Sequence, residues 1–529
     1  MILGLKVAKI VTLATFIAVL SFSSQGMALA QGTQLPSYEQ AECPFAKPAG
    51  HTVECGYLTV PEDRSNPSNG NVVKLAVAVF KSNSSTPQPD PVIYLEGGPG
   101  GRSLSDDGVD YYINDAFAPL LDKRDVILFD QRGTGYSTPS LACPEYFDAN
   151  WNNEDKNLSA KAWEPITTQA VQDCHDRLVK QGVNLSDFNS AESAADVSDL
   201  RVALGYKEWN LYGISYGTRL GLTIMRDFPQ GIRSSILDAN IPPQVDQAMV
   251  QSQVADHIFR VFFDGCAQSA PCNAAYPNLE KVFYKLVGDL NANPASYPVT
   301  RPSDGKRFTV LLNGDDVIGA LFDSFYYTSA IPDMPKAIWD ASHGNTDALF
   351  NFKLLSLTQD LDPDISTGMY FSVTCAEDVN FDTPAALQQA DLAYPKEDHV
   401  FDPGDFAAKC KAMNVKTAPA SVQKPVVSDI PSLVMEGDYD PITPPAFGQE
   451  TAKTLKNSFY FQIPGAGHGS SLAGDCPMSI LLNFLDSPTQ KPDGSCISSM
   501  TEPQWTVDQS QLGVPTPTPQ QSSPSGGTA

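Results

Sequence analysis

Apolar residues along this chain fall into short runs separated by longer amphipathic stretches. Lys74–Phe80 (KLAVAVF), Val92–Leu95 (VIYL), Asp125–Phe129 (DVILF), Trp209–Tyr212 (WNLY), Ser234–Leu237 (SSIL) and Ser432–Met435 (SLVM) are short and rich in β-branched and aromatic side chains. Their brevity predicts strands buried on both faces. Ala194–Leu204 has Val197, Leu200 and Leu204 on one helical face and Gly205 as a stop, which predicts a helix. Short buried strands alternating with helices define an α/β class with a mostly parallel sheet. Five of the strand runs precede residue 240 and the sixth follows residue 430. Between them, Gln247–Phe263 and Leu279–Leu290 are helical in pattern. Residues 246–425 are therefore predicted to be an inserted, mainly helical cap, dividing a core into 31–245 and 426–510.

The two ends differ from this pattern. Lys6 and Lys9 precede an apolar run from Ile10 to Phe22, and Ala28-Leu29-Ala30 follows. This is the layout of an export signal over residues 1–30, cleaved after Ala30. The run is shorter than the roughly 20 residues needed to span a bilayer, so no stable membrane insertion is expected once the signal is removed. Residues 511–529 are rich in Pro, Ser, Thr, Gln and Gly and are predicted to be a disordered tail.

Composition narrows the possible partners. The 529 residues carry 61 acidic against 35 basic side chains, a formal charge of -26. This balance excludes nucleic acid and anionic membrane surfaces, which need clustered Lys and Arg. A hydrophobic content of 42% excludes a wholly disordered chain. All ten cysteines lie after the signal, so export makes disulfides the expectation. No Cys-x-x-Cys occurs, and only Cys174-His175 brings a cysteine beside a histidine, so no metal site is expected. Sequence neighbours suggest the pairs Cys43–Cys55, Cys143–Cys174, Cys266–Cys272, Cys375–Cys410 and Cys476–Cys496, although spacing leaves the connectivity open.

Gly213-Ile214-Ser215-Tyr216-Gly217 follows one strand run and precedes a helical pattern with Leu220, Ile224 and Phe228 at four-residue spacing. A strand that turns sharply into a helix needs nearly side-chain-free flanks and presents its serine at the carboxyl edge of the sheet. A serine nucleophile needs a base, and the base needs an orienting carboxylate. Of the six histidines, His468 lies in the glycine-rich Pro464–Gly469 after the strand-like Phe459–Ile463, near the same sheet edge. His51, His175, His257, His343 and His399 have surface or structural surroundings. The acid candidate is Asp440 in Gly437–Pro444, preferred to Asp438 because it sits deeper in the loop, before a proline. The order Ser215, Asp440, His468 suits a hydrolase of this topology. An oxyanion would be met by the backbone N–H of Tyr216 and by Gly98 in Glu96-Gly97-Gly98-Pro99-Gly100-Gly101. No Gly-Lys-Ser/Thr follows that run, which excludes a phosphate loop.

Gly97–Gly100, Asp130-Gln131-Arg132-Gly133-Thr134-Gly135-Tyr136-Ser137, Gly213–Thr218, Gly437–Pro444 and Gly467–Gly469 together resemble the proline iminopeptidase family of α/β-hydrolases, and most closely its secreted tripeptidyl aminopeptidase branch. The resemblance extends to about residue 500. It implies an α/β-hydrolase fold with an inserted cap, and a secreted or periplasmic serine exopeptidase. Such an enzyme would act on peptides with a free N-terminus and use neither cofactor nor metal. Ser215 would attack, His468 would carry the proton and Asp440 would orient the imidazole. A carboxylate must then hold the substrate ammonium. The candidate is Glu377 in the cap, which a Cys375–Cys410 bridge would hold rigidly. Short relatives often carry His where this chain has Glu96, so the resemblance brings no side-chain role to that position. Arg132 is read as holding its loop together. Two alternatives stay open, a secreted esterase or lipase-like hydrolase and a catalytically silent binding protein on a hydrolase scaffold. Whether one or three residues are released, and whether proline is preferred, is likewise open.

Overall fold

The computed structural model describes residues 35–359, 365–394, 396, 403–501 and 503–508. The predicted signal 1–30 and tail 511–529 lie outside these residues. The strands are β1 (Ser37–Ala41), β2 (Val53–Pro61), β3 (Val72–Phe80), β4 (Val92–Leu95), β5 (Val126–Phe129), β6 (Trp209–Ile214), β7 (Ile232–Asp238), β8 (Ala295–Thr300), β9 (Arg307–Leu312), β10 (Ser432–Gly437) and β11 (Ser458–Ile463). Nine of them form one sheet in the order β1-β2-β3-β5-β4-β6-β7-β10-β11, and β8 and β9 form a separate hairpin. From β5 to β11 every neighbouring pair is parallel, whereas β1 to β3 join antiparallel at the other edge.

The strand runs are continuously apolar because the sheet separates two cores. In β3, Val73, Leu75, Val77 and Val79 enter one cluster, while Ala76, Ala78 and Phe80 enter the other. The same alternation divides Ile93 and Leu95 from Val92 and Tyr94 in β4, and Trp209 and Leu211 from Tyr212 and Ile214 in β6. A period of two with both faces covered leaves no polar positions. The polar edge strand β1, β2 and the hairpin β8–β9, which carries Pro298, had no such signal and were not predicted.

The strand order reverses at β4. The chain steps from β4 to β5 on one side and then places β6 on the other. In open parallel sheets a crevice forms at such a reversal, outside the carboxyl ends of the strands. Register then sets who meets whom. Leu95 pairs with Gly213, so the loop after β4 emerges beside the loop after β6. Gly437 pairs with Ile463, so the loops after β10 and β11 also emerge side by side.

Between β7 and β10 the chain packs in two places. Helices from Gln247–Gln268 to Asp347–Gln359, with β8 and β9, build a third apolar cluster around Phe259, Phe262, Phe283 and Phe325. The helices Thr367–Glu377 and Pro403–Met413 instead join the core on one sheet face, through Met369, Phe371, Cys410 and Met413. The cysteines form five disulfides, Cys43–Cys55, Cys143–Cys174, Cys266–Cys272, Cys375–Cys410 and Cys476–Cys496, the pairs that sequence proximity suggests. Among the described residues no helix is long and apolar enough to cross a membrane.

Candidate active site

Ser215 stands between β6 and the helix Tyr216–Asp227 with φ 59° and ψ -126°, a conformation that costs a non-glycine residue of order 1–3 kcal/mol. The flanking glycines follow from the tightness of the turn. A Cβ on Gly213 would lie 2.3 Å from the Gly217 carbonyl oxygen, and one on Gly217 would lie 1.9 Å from that of Leu95. The Ser215 N–H donates to the Asp238 carbonyl at 3.1 Å, and its own carbonyl accepts the N–H and the hydroxyl of Thr218. Tyr216 opens the helix, so its N–H has no intrahelical carbonyl. Its side chain bonds Ser190 Oγ at 2.8 Å within the core.

In the loop after β4, Gly97 packs against the elbow. A Cβ there would lie 3.2 Å from Ser215 Cβ and 3.8 Å from Ser215 Oγ. Gly98 has φ 108°, in the left-handed region that favours glycine. Asp130 holds this loop from below. Its Oδ1 accepts the N–H groups of Ser103 (2.9 Å) and Leu104 (3.1 Å), and its Oδ2 accepts the N–H of Tyr136 (2.7 Å). Burial pushes the Asp130 carboxyl up to about 6. Gln131 Nε2 donates to the Glu96 carbonyl at 2.9 Å. Arg132 is fully buried and spent on both oxygens of Asp196 and on the Glu62 carbonyl.

His468 follows β11. Its Nδ1 bonds Asp440 Oδ2 at 2.8 Å. Asp440 also accepts the N–H groups of Ile442 (3.0 Å) and Thr443 (2.8 Å) on Oδ1 and the Thr443 hydroxyl (2.7 Å) on Oδ2. Asp438 turns the other way, to Gln462 Nε2. Burial works against an imidazolium at His468, but the Asp440 carboxylate outweighs it, with help from Asp238, and holds the group above its ordinary 6.5. The Asp238 carboxylate also fastens the His468 loop by accepting from the Ser470 hydroxyl (2.8 Å) and the Ser471 N–H (2.7 Å). The inserted segment closes over the imidazole. The Tyr326 ring lies 4.6 Å from it, and Thr328 Oγ1 accepts the Gly467 N–H at 3.0 Å.

Ser215, His468, Gly97 and Gly98 line one cavity of 580 Å³. Much of its remaining wall is aromatic, from Tyr146, Phe322, Tyr326, Tyr370, Phe371 and Phe406. Among the described residues, its acidic lining residues are Glu96 and Asp323, and its basic one is His468. Glu377 does not line it, which corrects the placement expected from sequence. It is buried under the elbow, where it accepts the N–H (2.7 Å) and hydroxyl (2.8 Å) of Ser190 and pairs with Arg219 Nε at 3.4 Å. Arg219 in turn grips Asp378 with two bonds of 2.9 Å. Glu377 and Asp378 thus share one buried guanidinium away from the cavity wall.

Sequence reading did not single out Asp238, Thr443, Tyr326 or Asp323. Only Asp238 had a local signal, as the last residue of a strand beside the elbow strand. Among the described residues no three His, Cys, Asp or Glu side chains gather as a metal ion would need. His51, His175 and His343 pair with Asn114, Asp176 and the Trp339 carbonyl, and His399 lies outside the described residues. Chemically, the arrangement holds a serine on a strained turn and a carboxylate-oriented imidazole in the wall of one cavity.

Among known proteins, serine protease Hip1 of Mycobacterium tuberculosis is 24% identical over 471 residues, covering 83% of this chain and 86% of the relative. Tripeptidyl aminopeptidase of Streptomyces lividans is 29% identical over 211 residues, 38% of each chain. Among solved structures, proline iminopeptidase from Mycobacterium smegmatis is matched over 82% of this chain and 98% of that one, with 18% identity and a TM-score of 0.33. Residues 90–475, well over half of the chain, match the family described as alpha/beta hydrolase fold, and the chain belongs to that family.

Proposed function

We propose that this protein is an exported serine peptidase that cleaves peptide bonds near a free N-terminus, with Ser215, His468 and Asp440 as its triad. The observation that carries this reading is that Ser215 and the Asp440-oriented His468 share one cavity whose other charged lining residues, among those described, are Glu96 and Asp323. Such a cavity favours a substrate with a positive end. The names of the serine protease and tripeptidyl aminopeptidase relatives agree with it. Five disulfides support an oxidising compartment.

In this reading Ser215 Oγ attacks the scissile carbonyl while His468 Nε2 takes its proton. Asp440 holds the Nδ1–H tautomer and stabilises the imidazolium. The N–H groups of Tyr216 and Gly98 receive the oxyanion. The imidazolium then protonates the leaving amine, and water, deprotonated by His468, hydrolyses the acyl-enzyme. Residues 246–425 act as the cap, with Tyr326 shielding the imidazole from water. No step calls on a cofactor or a metal.

The test is hydrolysis of prolyl- and alanyl-alanyl-alanyl-p-nitroanilide with free and N-acetylated amines, followed by mass spectrometry of a digested peptide library. Release of one or three residues from free N-termini is expected. Equal cleavage of blocked substrates, or activity on p-nitrophenyl esters alone, would leave an esterase. Failure of a fluorophosphonate to label Ser215 in folded protein would leave a silent scaffold.

A further inference from the structure

No step of the triad chemistry uses Glu436, a fully buried acid on β10 that lies four residues before Asp440. Its Oε1 accepts the Asn240 N–H at 3.1 Å. Its Oε2 and the Asn240 Oδ1 are both buried, and among the described residues neither has a hydrogen-bond partner. With the carboxyl ionised, both atoms are acceptors and the pocket lacks a donor for them. The titratable groups that face Glu436 are Asp440 in the loop beyond its own strand, Asp238 at the end of β7 and the Tyr460 phenol on β11. The helix Pro445–Ala452 packs Gly448 against it, where a Cβ would lie 2.1 Å from Oε1. Every one of these neighbours is neutral or negative. Burial, then Asp440 and Asp238, raise its pKa well above the ordinary 4.5, against the pull of Asn240. A proton on Glu436 removes a third charge from the cluster and supplies the donor that the two acceptors lack.

Asn240 connects this acid to the active site. It ends the turn Asp238-Ala239-Asn240 after β7, in which Ala239 has φ 59°. A non-glycine residue in that conformation needs its surroundings to hold it. Both holding bonds run to β10: the Ala239 N–H donates to the Met435 carbonyl at 3.0 Å, and the Asn240 N–H donates to Glu436. The same turn supports two members of the triad. The Asp238 carbonyl accepts the Ser215 N–H at 3.1 Å, and the Asp238 carboxylate fastens Ser470 and Ser471 beside His468. We propose that Glu436 is a positioning residue that works as a neutral carboxylic acid, fastening the strand that leads to Asp440 onto the turn that holds Ser215 and the His468 loop. The assignment rests on reading Ser215, His468 and Asp440 as the triad. An ionised Glu436 would repel Asp238 and Asp440 and leave Asn240 Oδ1 without a donor, so the proton is what lets the three loops share one brace.

The test is the rate at which a fluorophosphonate attaches to Ser215, read against pH in the purified protein. In Glu436→Gln one uncharged group replaces another, so the rate and the midpoint of the acid limb should both match the unmodified protein. The infrared difference spectrum of these two proteins at neutral pH should show the loss of a protonated carboxyl. Glu436→Leu is also uncharged but cannot accept the Asn240 N–H, and its labelling should slow about 10- to 100-fold, the scale of a small misplacement of reacting groups. A merely structural role would lower the Tm of the leucine variant and leave the labelling rate of its folded molecules in place. A midpoint that moves to lower pH in Glu436→Gln, or the loss of an ionised carboxylate band, shows a charged Glu436 and overturns the assignment. A glutamine variant that does not fold overturns it equally, since a neutral acid tolerates its own amide. If the leucine variant does not fold, the midpoint and the infrared band decide. An unmodified protein that takes no label defeats the triad reading itself. A labelled protein whose rate survives Glu436→Leu defeats this assignment alone.

Discussion

His468 Nδ1 lies 2.8 Å from Asp440 Oδ2, and that carboxylate is itself held by the Thr443 hydroxyl and two backbone N–H groups. Every lone-pair direction of Asp440 is thus directed, so the imidazole is aimed by a group that cannot turn. Burial and Asp440 push the His468 pKa in opposite directions, and the carboxylate prevails.

Asp440→Asn should therefore lower kcat by about 10³- to 10⁴-fold, the scale seen when an orienting carboxylate is replaced by its amide. It should also shift the pH profile. In the unmodified protein the acid limb of kcat/KM is expected to have its midpoint above 6.5, because the base must be neutral to accept a proton. In Asp440→Asn burial is opposed only by Asp238, so the midpoint moves to lower pH. A midpoint that stays in place would show that Asp440 does not set the charge of His468.

Ser215 tests the elbow in a second way. Ser215→Ala should abolish turnover and fluorophosphonate labelling while keeping the strained backbone. Ser215→Gly should be equally inactive but more stable than the alanine variant by about 1 kcal/mol or more, since glycine accepts φ 59° freely. Urea unfolding of the two variants measures the difference. Equal stabilities would mean that the turn carries no strain.

The Arg219 network makes a graded prediction. Asp378→Asn removes the two-bond partner of a buried guanidinium and should destabilise by about 3–5 kcal/mol. Glu377→Gln leaves that grip intact and should cost less, about 2–3 kcal/mol. Glu377→Gln should also leave the ratio of free-amine to blocked-substrate cleavage unchanged. Chemical denaturation and paired anilide assays check both parts, and a collapsed ratio would restore Glu377 as the ammonium subsite.

Asp130 is expected to act on rate more than on fold. Asp130→Asn places an amide where three N–H groups now point, which loosens the loop from Glu96 to Leu104. A shift of this kind near the oxyanion donors should lower kcat by about 10- to 100-fold. The pre-steady-state burst with a p-nitrophenyl ester reads acylation directly, and an unchanged burst rate would sink the prediction.

Sequence alone was enough for whatever local sterics dictate. Gly213 and Gly217 are required because a Cβ at either would strike a carbonyl oxygen within the same turn or on the adjacent strand, so the elbow could be read around Ser215. Buried strands with both faces covered announced themselves as apolar runs, and His468 and Asp440 stood in glycine- and proline-rich turns at strand ends. Charge assignments were beyond its reach. Glu377 could not be recognised as the partner of Arg219 and Ser190, because those residues lie on helices distant in the chain. The edge strands and the division of the inserted segment between two cores were equally hidden. A side chain's electrostatic role is set by what the fold brings within a few ångströms of it, and hydropathy along the chain holds no record of that neighbour.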